Sequence, residues 1–390
     1  MVSARDRGYQ AGLLSFVRPT TLLRLTERLP TIAPRRLART AGIAAGGWAG
    51  TPLQAYDWMR NQHLIDRVEL AEDPVFIIGH WRSGTTHLHN LMSQDPQFGC
   101  LRMFEALAPD FTLSTSSWLP SVFKRLVPSK RPMDNMEWPM DAPQEEEIPL
   151  AKMTPYSWYL QFLFPQQAIT TFDRYVLMNG APQKARNEFK AKYLYLLRVA
   201  SLQSGGRRLL LKNPVNTARV PLLLELFPNA KFVFIHRSPL EVFPSTINLH
   251  RKILELTALQ TYSDDDIERN VIEIYRRVMQ RYQLDAAAVP KGQLIEIGYD
   301  DVVRDPMGTL ASVYDALDLD GFGEAQAPIQ GHMATVSGYE RNQFPELSDR
   351  VIELVEREWE VGFRTWGYPL PSGGRRGIDL RPEEAIRTAG

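Results

Sequence analysis

The stretch FIIGHWRSGTTHLHNLM, residues 76–92, predicts a buried strand, a tight glycine-containing loop and a helix. Between Gly79 and Gly84 the loop keeps the glycine spacing of the phosphate-binding pattern G-x-x-x-x-G-K-[ST]. Thr85 stands where that pattern has its lysine, and Arg82 lies inside the loop. The stretch therefore predicts an anion-binding loop whose chemistry does not depend on a lysine at that position.

Further strands and helices alternate along the rest of the chain. Short apolar runs predict strands at 207–214, 230–239 and 292–301, and helical patterns cover 266–288, 306–317 and 348–361. This alternation predicts an α/β fold, a three-layer arrangement around a parallel sheet. Residues 100–205 are rich in aromatic residues and proline. We expect them to form helical insertions and loops that cover the edge of the sheet, where the pocket for a second substrate, the acceptor, would lie.

Composition narrows the class of protein. The 390 residues carry no formal net charge, which gives no reason to expect a nucleic-acid partner. A single cysteine, Cys100, excludes an internal disulfide framework and a cysteine-based metal cluster. We recognise no signal peptide in the first residues, and we expect a cytoplasmic protein.

The N-terminal region has an uneven charge distribution. Residues 1–67 contain ten arginines, no lysine and four acidic residues. Such a segment could touch a membrane surface peripherally, or it could be a helical preface that packs on the core with a solvated basic face. Both interpretations stay open at the level of sequence.

Three predicted strands end in basic residues. The first strand leads into Arg82, the second ends at Lys212 and the third at Arg237. Ligands of open parallel sheets lie beyond the carboxyl ends of the strands, so we expect these cations to converge on one anion. A P-loop kinase or NTPase also needs a strand-end carboxylate for magnesium, and these runs contain none. The pattern predicts neutralisation of a phosphate by side chains, without a metal.

Four stretches, taken in order, resemble the PAPS-dependent sulfotransferase family. GHWRSGTTHLHNLM resembles its 5′-phosphosulfate loop, and FVFIHRSPLEVFPST resembles its 3′-phosphate motif. LLLKNPVNTARVPLLLELFPNAKF is similar to the Lys-x-Pro segment of the bacterial and tyrosylprotein-type branches, and IGYDDVVRDPMGTL to the downstream Tyr-Glu-Asp segment. The resemblance covers residues 74–110 and 207–318, and it departs from the family at Ser238, where an aspartate is frequent.

The resemblance implies a sulfotransferase that moves the sulfuryl group of PAPS to a hydroxyl of a small-molecule, lipid or carbohydrate acceptor. It implies a basic helical region at 1–70, a catalytic domain at 71–370 and a tail at 371–390. The residues implied for binding PAPS are Arg82, Ser83, Gly84, Thr85 and Thr86 at the 5′-phosphosulfate, Arg237 and Ser245 at the 3′-phosphate, Tyr299 near the adenine, and Arg341 in the segment GYERNQF.

Catalysis requires cations at the leaving group and a general base for the acceptor hydroxyl. Arg82 and Lys212 are the candidate cations. Glu105, which lies 23 residues after Arg82, is the first candidate for the base, because related branches with arginine in the loop carry a glutamate at a similar distance. The alternatives are two histidines and an acidic cluster that we otherwise interpret as a solvated helix start: His87, His89, Glu145, Glu146 and Glu147.

The acceptor is less well defined. Aromatic residues are dense in 154–176, with Trp118, Trp138 and Trp158 in or near that stretch, and they predict either an apolar or ring-binding acceptor surface or a helical core. Two other functions stay open from the residues alone, a P-loop kinase or NTPase and an inactive nucleotide-binding module. A homo-oligomer is compatible with the sequence.

Overall fold

A computed structural model describes residues 16–26, 32–126, 139–336 and 344–371. Its sheet has five parallel strands in the order β2-β3-β1-β4-β5. The strands are β1 (Val75–Ile78), β2 (Phe98–Gly99), β3 (Arg208–Lys212), β4 (Lys231–His236) and β5 (Leu294–Gly298). This arrangement confirms the predicted α/β class.

Seventeen α-helices surround the sheet within the described ranges. They are α1 (Pro19–Thr26), α2 (Leu37–Ile65), α3 (Thr85–Met92), α4 (Met103–Leu107), α5 (Thr112–Thr115), α6 (Leu119–Leu126), α7 (Glu147–Met153), α8 (Ala168–Tyr175), α9 (Gln183–Gln203), α10 (Val220–Leu226), α11 (Pro239–Thr257), α12 (Asp264–Ala286), α13 (Tyr299–Arg304), α14 (Pro306–Ala316), α15 (Phe322–Val336), α16 (Asp349–Glu358) and α17 (Glu360–Trp366). Short 3₁₀ helices cover Pro34–Arg36, Trp158–Phe162, Pro165–Gln167 and Pro214–Ala218.

The central strands β1, β3 and β4 are mainly apolar on both faces, as buried parallel strands must be. Alternate residues point into two separate cores. One core receives Phe76, Ile78, Leu211, Phe232 and Phe234. The other receives Val75, Ile77, Leu210, Val233 and Ile235. Side-chain alternation with a period of two thus divides one apolar run between the two helical layers.

The sheet places β1 at its centre, between β3 and β4. From β1 the chain moves to one side to form β2 and β3, then crosses to the other side for β4 and β5. The carboxyl end of β1 is therefore the topological switch point, where open α/β sheets bind their ligands. The loop after β1 lies at this point.

Most predicted elements are confirmed, with two differences. The two-residue strand Phe98–Gly99 was not predicted, because so short a segment has no detectable alternation. The helical pattern at 348–361 is divided at Trp359 into α16 and α17. Trp359 is buried and stacks on Tyr275 at 3.7 Å between ring centroids, so tertiary packing fixes the position of this break.

The N-terminal helix α2 packs on the domain through one narrow stripe. Its buried residues include Gly47 and Gly50, where an added Cβ would lie 2.2 Å from the backbone oxygen of Val17 and 2.7 Å from the ring of Phe16. Glycine is needed there because the preceding segment crosses the helix so closely. Within the described ranges, no helix combines the length and the apolar character required to cross a bilayer.

Candidate active site

The loop after β1 has a backbone that glycine makes possible. Gly79 and Gly84 have φ angles of 144° and 103°, and Arg82 has a φ of 69°. A Cβ on Gly79 would lie 2.3 Å from the carbonyl oxygen of Ile235 on β4, so only glycine fits at that position. Gly84 then forms the N-cap of α3, and the N-terminus of a helix directly after such a loop is the arrangement expected of an anion-binding site.

Side chains from neighbouring segments hold the loop in shape. The hydroxyl of Thr217 accepts a hydrogen bond from the Gly79 N–H at 2.8 Å and donates one to the Gly79 carbonyl at 3.0 Å. Within the loop, the Ser83 hydroxyl donates to the His80 carbonyl at 2.7 Å. These hydrogen bonds join residues of the protein to one another, so they stabilise the loop conformation without a ligand.

The residues predicted to bind the nucleotide form connected pairs. Arg82 Nε donates to Ser245 Oγ at 2.8 Å. The Arg237 guanidinium lies 4.4 Å from the centroid of the Tyr299 ring and is paired with Glu241 at 3.1 Å. The Tyr299 ring in turn covers Gly84, since a Cβ there would lie 2.3 Å from the ring. The structure thus brings all of these side chains to the loop.

The other residues predicted to bind the nucleotide differ in what their side chains contact. The Ser83 hydroxyl is used inside the loop, whereas Thr85 and Thr86 begin α3. Arg341 lies outside the described residues.

Lys212 ends β3 next to the loop, and its side chain is 2% exposed. Its ammonium is paired with the carboxylate of Glu145 and lies 3.4 Å from Thr86 Oγ1. Tyr159 donates its hydroxyl proton to the other Glu145 oxygen and accepts a hydrogen bond from Trp81 Nε1 at 2.9 Å. These contacts connect two residues at the loop, Trp81 and Thr86, to one carboxylate, Glu145.

The prediction that the cluster 145–147 is a solvated helix start is wrong. Glu145 keeps 16% of its side chain exposed, while Glu146 and Glu147 are fully buried. The segment 139–147 crosses the sheet edge as an insertion, and Gln144 N–H bonds the Leu101 carbonyl at 2.8 Å. Only this tertiary position assigns three adjacent acids to three environments.

Glu147 is a structural residue. Its carboxylate accepts hydrogen bonds from Arg219 at 2.7 Å, Asn213 at 3.0 Å and the backbone of Trp158 at 2.9 Å. Burial by itself raises the pKa of this carboxyl, but Arg219 and the hydrogen bonds outweigh burial and leave the pKa below its usual value. Glu147 therefore stays ionised and joins three segments of the chain.

Glu146 has the opposite environment. Among the described residues, no other residue hydrogen-bonds its carboxyl oxygens, and burial raises its pKa to about 8 against the opposing effect of its own backbone N–H. The positive charge of Lys212 opposes this rise and the charges of Glu145 and Glu147 support it. At neutral pH Glu146 is mainly a protonated, uncharged side chain behind the Lys212–Glu145 pair.

The structure places Glu105 in the first turn of α4. Its carboxylate accepts a hydrogen bond from the Arg102 N–H at 3.0 Å as part of a capping box, and burial raises its pKa to about 7. The described contacts of this carboxylate do not include Lys212 or a loop residue. Its role as a general base stays a prediction, and its capping contact gives it a structural role.

The two candidate histidines lie on α3. His89 is buried, its Nε2–H points to the Leu210 carbonyl at 3.4 Å, and burial lowers its pKa to about 3. A group with such a low pKa and no exposure is poorly suited to accept a proton from a substrate. His87 is half-buried on the same helix. Their catalytic roles were alternatives at the sequence level and remain predictions.

The aromatic stretch 154–176 is mostly core. Trp158 and Phe172 are buried, and Trp158 lies 4.9 Å from Trp81, centroid to centroid. Tyr159 is half-buried and reaches the Glu145 carboxylate. The stretch therefore packs against the loop at Trp81. Trp138 lies outside the described residues.

In the part of the chain that the structure describes, no three metal-ligating side chains of histidine, cysteine, aspartate or glutamate come together as a metal site. The charges around the loop are instead those of Arg82, Lys212 and Arg237, balanced by Glu145 and Glu241. Glu145 is paired with Lys212, a candidate catalytic cation, and Glu241 with Arg237, which the resemblance implies for the 3′-phosphate. Such an arrangement can hold an anion in exchange for its internal ion pairs.

Comparison with known proteins gives a consistent result. A family model described as "Sulfotransferase family" matches residues 74–324. Omega-hydroxy-beta-dihydromenaquinone-9 sulfotransferase Stf3 is 30% identical over 300 residues, which cover 77% of this chain and 76% of the relative. The match is the same for the proteins of Mycobacterium bovis and Mycobacterium tuberculosis.

Two solved structures share the fold. Sulfotransferase STF9 from Mycobacterium avium superposes with a TM-score of 0.66, 18% identity and coverage of 90% of each chain. Sulfotransferase STF1 from Mycobacterium tuberculosis H37Rv gives a TM-score of 0.58 and 18% identity, and it covers 91% of this chain and 92% of its own. At this identity the similarity concerns the fold.

Proposed function

Because the chain belongs to the sulfotransferase family, we propose that it transfers the sulfuryl group of PAPS to a hydroxyl group of a lipid acceptor, with Glu145 as the general base. The sulfotransferase class follows from the family. The PAPS donor follows the resemblance of the loop and of the Arg237 segment. The lipid acceptor follows the name of the relative that is 30% identical.

One observation carries the assignment of the base: the Glu145 carboxylate is paired with Lys212 at the end of β3, next to Thr86 of the loop. In the proposed reaction, the acceptor oxygen forms a bond to sulfur while the bond from sulfur to the bridging phosphate oxygen breaks. The acceptor proton passes to Glu145, and the adenosine bisphosphate PAP leaves. Lys212 stabilises negative charge on the leaving oxygen.

The other contacts of Glu145 support this role. Tyr159 and Lys212 each hold one of its oxygens, so the carboxylate has a fixed direction. Its side chain is 16% exposed, whereas that of Lys212 is almost completely buried. An acceptor hydroxyl can therefore approach Glu145 from solvent while Lys212 faces the loop. A general base has to be held within hydrogen-bond reach of the proton that it removes, and these contacts hold Glu145 in place.

Donor binding is tested without an acceptor. In isothermal titration calorimetry in EDTA, PAP should bind more tightly than ADP, because Arg237 and Ser245 read the additional 3′-phosphate. Equal affinity for ADP and PAP, or binding of either only with magnesium, would remove the donor assignment. Arg237→Ala should weaken PAP binding and leave ADP binding nearly unchanged.

The base is tested by a matched pair of variants, Glu145→Gln and Glu105→Gln. With PAPS and an isoprenoid alcohol such as farnesol, Glu145→Gln should lower kcat by about 10²–10⁴-fold, since a general base contributes that much, and it should not weaken PAP binding. Glu105→Gln should retain most of the turnover. The reverse result would return the base to Glu105. Replacing farnesol with a sugar such as glucose tests the acceptor class, because efficient sugar sulfation would contradict a lipid acceptor.

A further inference from the structure

The outward surface of α2 is unusual for a helix on a globular domain. The residues that pack inward are Ile43, Gly47, Gly50, Asp57, Asn61 and Ile65. On the opposite side, Trp48 is 63% exposed and Met59 is 68% exposed. Leu37 is also largely exposed. Isolated exposed apolar residues are common, whereas several on one helix indicate an interaction site.

These residues fall on one line. Leu37, Trp48 and Met59 are separated by eleven residues each, and eleven residues make about three turns of an α-helix. The side chains between them on that face are small, at Ala41 and Ala55. The result is a continuous apolar stripe along the outside of α2, which we name the outer stripe (Leu37, Ala41, Trp48, Ala55 and Met59).

The exposed charged side chains on α2 itself are basic, whereas the exposed acid Asp66 follows directly after the helix. Asp57 is the only acidic residue between Leu37 and Ile65, and it is buried against the Ser114 N–H and Asn61. Arg35 precedes the helix and Arg60 lies within it, and both are exposed. The exposed charged side chains from Arg35 to Ile65 are thus basic, and a surface that is apolar, contains tryptophan and carries basic residues complements the interface of an anionic bilayer.

Three other arginines of the region make contacts inside the protein. Arg18 is paired with Asp110, Arg24 with Glu188 at 2.7 Å, and Arg39 donates to the Ala258 carbonyl at 3.0 Å. Part of the excess of positive charge seen in the sequence is thus engaged in ion pairs and hydrogen bonds inside the protein. The apolar stripe, with Arg35 and Arg60, therefore carries the inference.

We infer that the outer stripe of α2 docks on an anionic lipid bilayer, with α2 lying in the plane of the interface. Trp48 and Met59 enter the boundary between headgroups and acyl chains, and Arg35 and Arg60 contact lipid phosphates. A second copy of the chain is the competing occupant, but it would bring the same positive charges face to face.

A chain of contacts links α2 to the segment that carries Glu145. Phe16 packs against Gly50 of α2, and the Arg18 N–H bonds the Lys152 carbonyl at 3.0 Å. Lys152 lies on α7, the helix that directly follows Glu145. If the acceptor is a lipid, as proposed, docking of α2 would bring the candidate active site close to the membrane in which that lipid acceptor lies. The docking inference itself does not depend on the acceptor.

The test uses the full chain and sedimentation with vesicles made of equal parts phosphatidylcholine and phosphatidylglycerol. We expect the wild-type protein to bind and the Trp48→Ser/Met59→Ser variant to bind at least about tenfold more weakly. The variant lacks the two apolar side chains that the bilayer would bury. Leu284→Ser is the matched control: Leu284 on α12 is 74% exposed but isolated, and its loss should leave binding unchanged. Circular dichroism confirms that all three proteins are folded.

Three results would overturn the inference. They are no binding of the wild-type protein to these vesicles, equal binding of the wild type and the double variant, and a dimer in analytical ultracentrifugation that the double variant breaks while vesicle binding is absent. A second readout is quenching of tryptophan fluorescence by brominated lipids, which should be smaller in the double variant. The assays use neither PAPS nor acceptor, so failure of the proposed function leaves their outcome unaffected.

Discussion

Substituting alanine for Gly84 tests whether the loop, Tyr299 and Arg237 act as one nucleotide-binding unit. Gly84 has a φ of 103°, and a Cβ there would lie 2.3 Å from Cδ2 and 2.8 Å from Cε2 of Tyr299. These distances are shorter than van der Waals contact, so the ring has to move. Arg237, now 4.4 Å from the ring centroid, then loses the surface on which it stacks.

The expected magnitude follows from that contact. A cation–π interaction contributes about 0.5–2 kcal/mol, which corresponds to a roughly 2- to 30-fold change in a dissociation constant. We therefore expect the Kd for PAP to rise by a factor in this range in Gly84→Ala. Alanine in a left-handed backbone also destabilises the fold by about 1–2 kcal/mol, independently of the nucleotide.

Gly292→Ala separates the two effects. Gly292 has a φ of 80°, but an added Cβ has no atom within 4 Å. Both variants should lose unfolding free energy in urea through the left-handed backbone, with a larger loss in Gly84→Ala because Tyr299 has to move, and only Gly84→Ala should lose PAP affinity in calorimetry. Gly79→Ala is unsuitable for this test because its Cβ would collide with a backbone carbonyl.

Two results would refute the reasoning. If Gly84→Ala and Gly292→Ala bind PAP equally well, Tyr299 and Arg237 do not form a unit with the loop. If Tyr299→Ala lowers PAP affinity by the same factor in the wild type and in the Gly84→Ala background, the two positions act independently, because coupled residues give non-additive changes.

Three more changes should have measurable effects. Arg219→Met leaves the buried Glu147 carboxylate without its cation and should reduce the free energy of unfolding in urea by about 3–5 kcal/mol. Glu146 has a folded pKa near 8, above that of the unfolded chain, so the contribution of Glu146 to wild-type stability is largest at acid pH and falls as pH rises towards 8. The stability of Glu146→Gln relative to the wild type should therefore increase by up to about 1.4 kcal/mol per pH unit over that range in urea denaturation. Ser245→Ala removes the acceptor of the Arg82 Nε–H, and its Kd for PAP should rise about tenfold or more in calorimetry, as expected for hydrogen bonds to charged groups.

The controls use neighbouring features of the same kind. Arg350 pairs with Glu268 on the surface, and Arg350→Met should change stability by less than about 1 kcal/mol. A comparable loss in Arg350→Met and Arg219→Met would contradict the role given to burial. A constant stability difference between Glu146→Gln and the wild type from pH 5 to 8 would show that Glu146 ionises in the folded protein. Ser312→Ala on α14 should leave PAP binding unchanged.

The candidate site was only partly accessible from the sequence. Arg82, Lys212 and Arg237 follow strands whose apolar runs are recognisable, so their convergence at one sheet edge could be predicted. Glu145 could not be singled out, because its contact with Lys212 joins positions 67 residues apart. Glu105 was favoured because it lies 23 residues after Arg82, yet its carboxylate caps a helix.

The exposed stripe of α2 was also hidden in the sequence. Composition showed the arginines of the N-terminal region, but several of them pair inside the protein, as Arg18 and Arg24 do. The apolar residues Trp48 and Met59 could equally have faced the core. Gly47 and Gly50 decided the matter, since the close crossing of residues 16 and 17 fixes the inner face of the helix.

The sequence by itself determined the parallel strands, the glycine loop after β1 and the basic strand ends, because each depends on residues close together in the chain. Hydrophobic period and backbone freedom act locally, so a local pattern is enough to predict them. Only the tertiary structure decided which of three adjacent glutamates is paired with Lys212, which is protonated and which is fixed by Arg219. Those outcomes depend on desolvation and on charges brought from distant segments, and these exist only once the chain has folded.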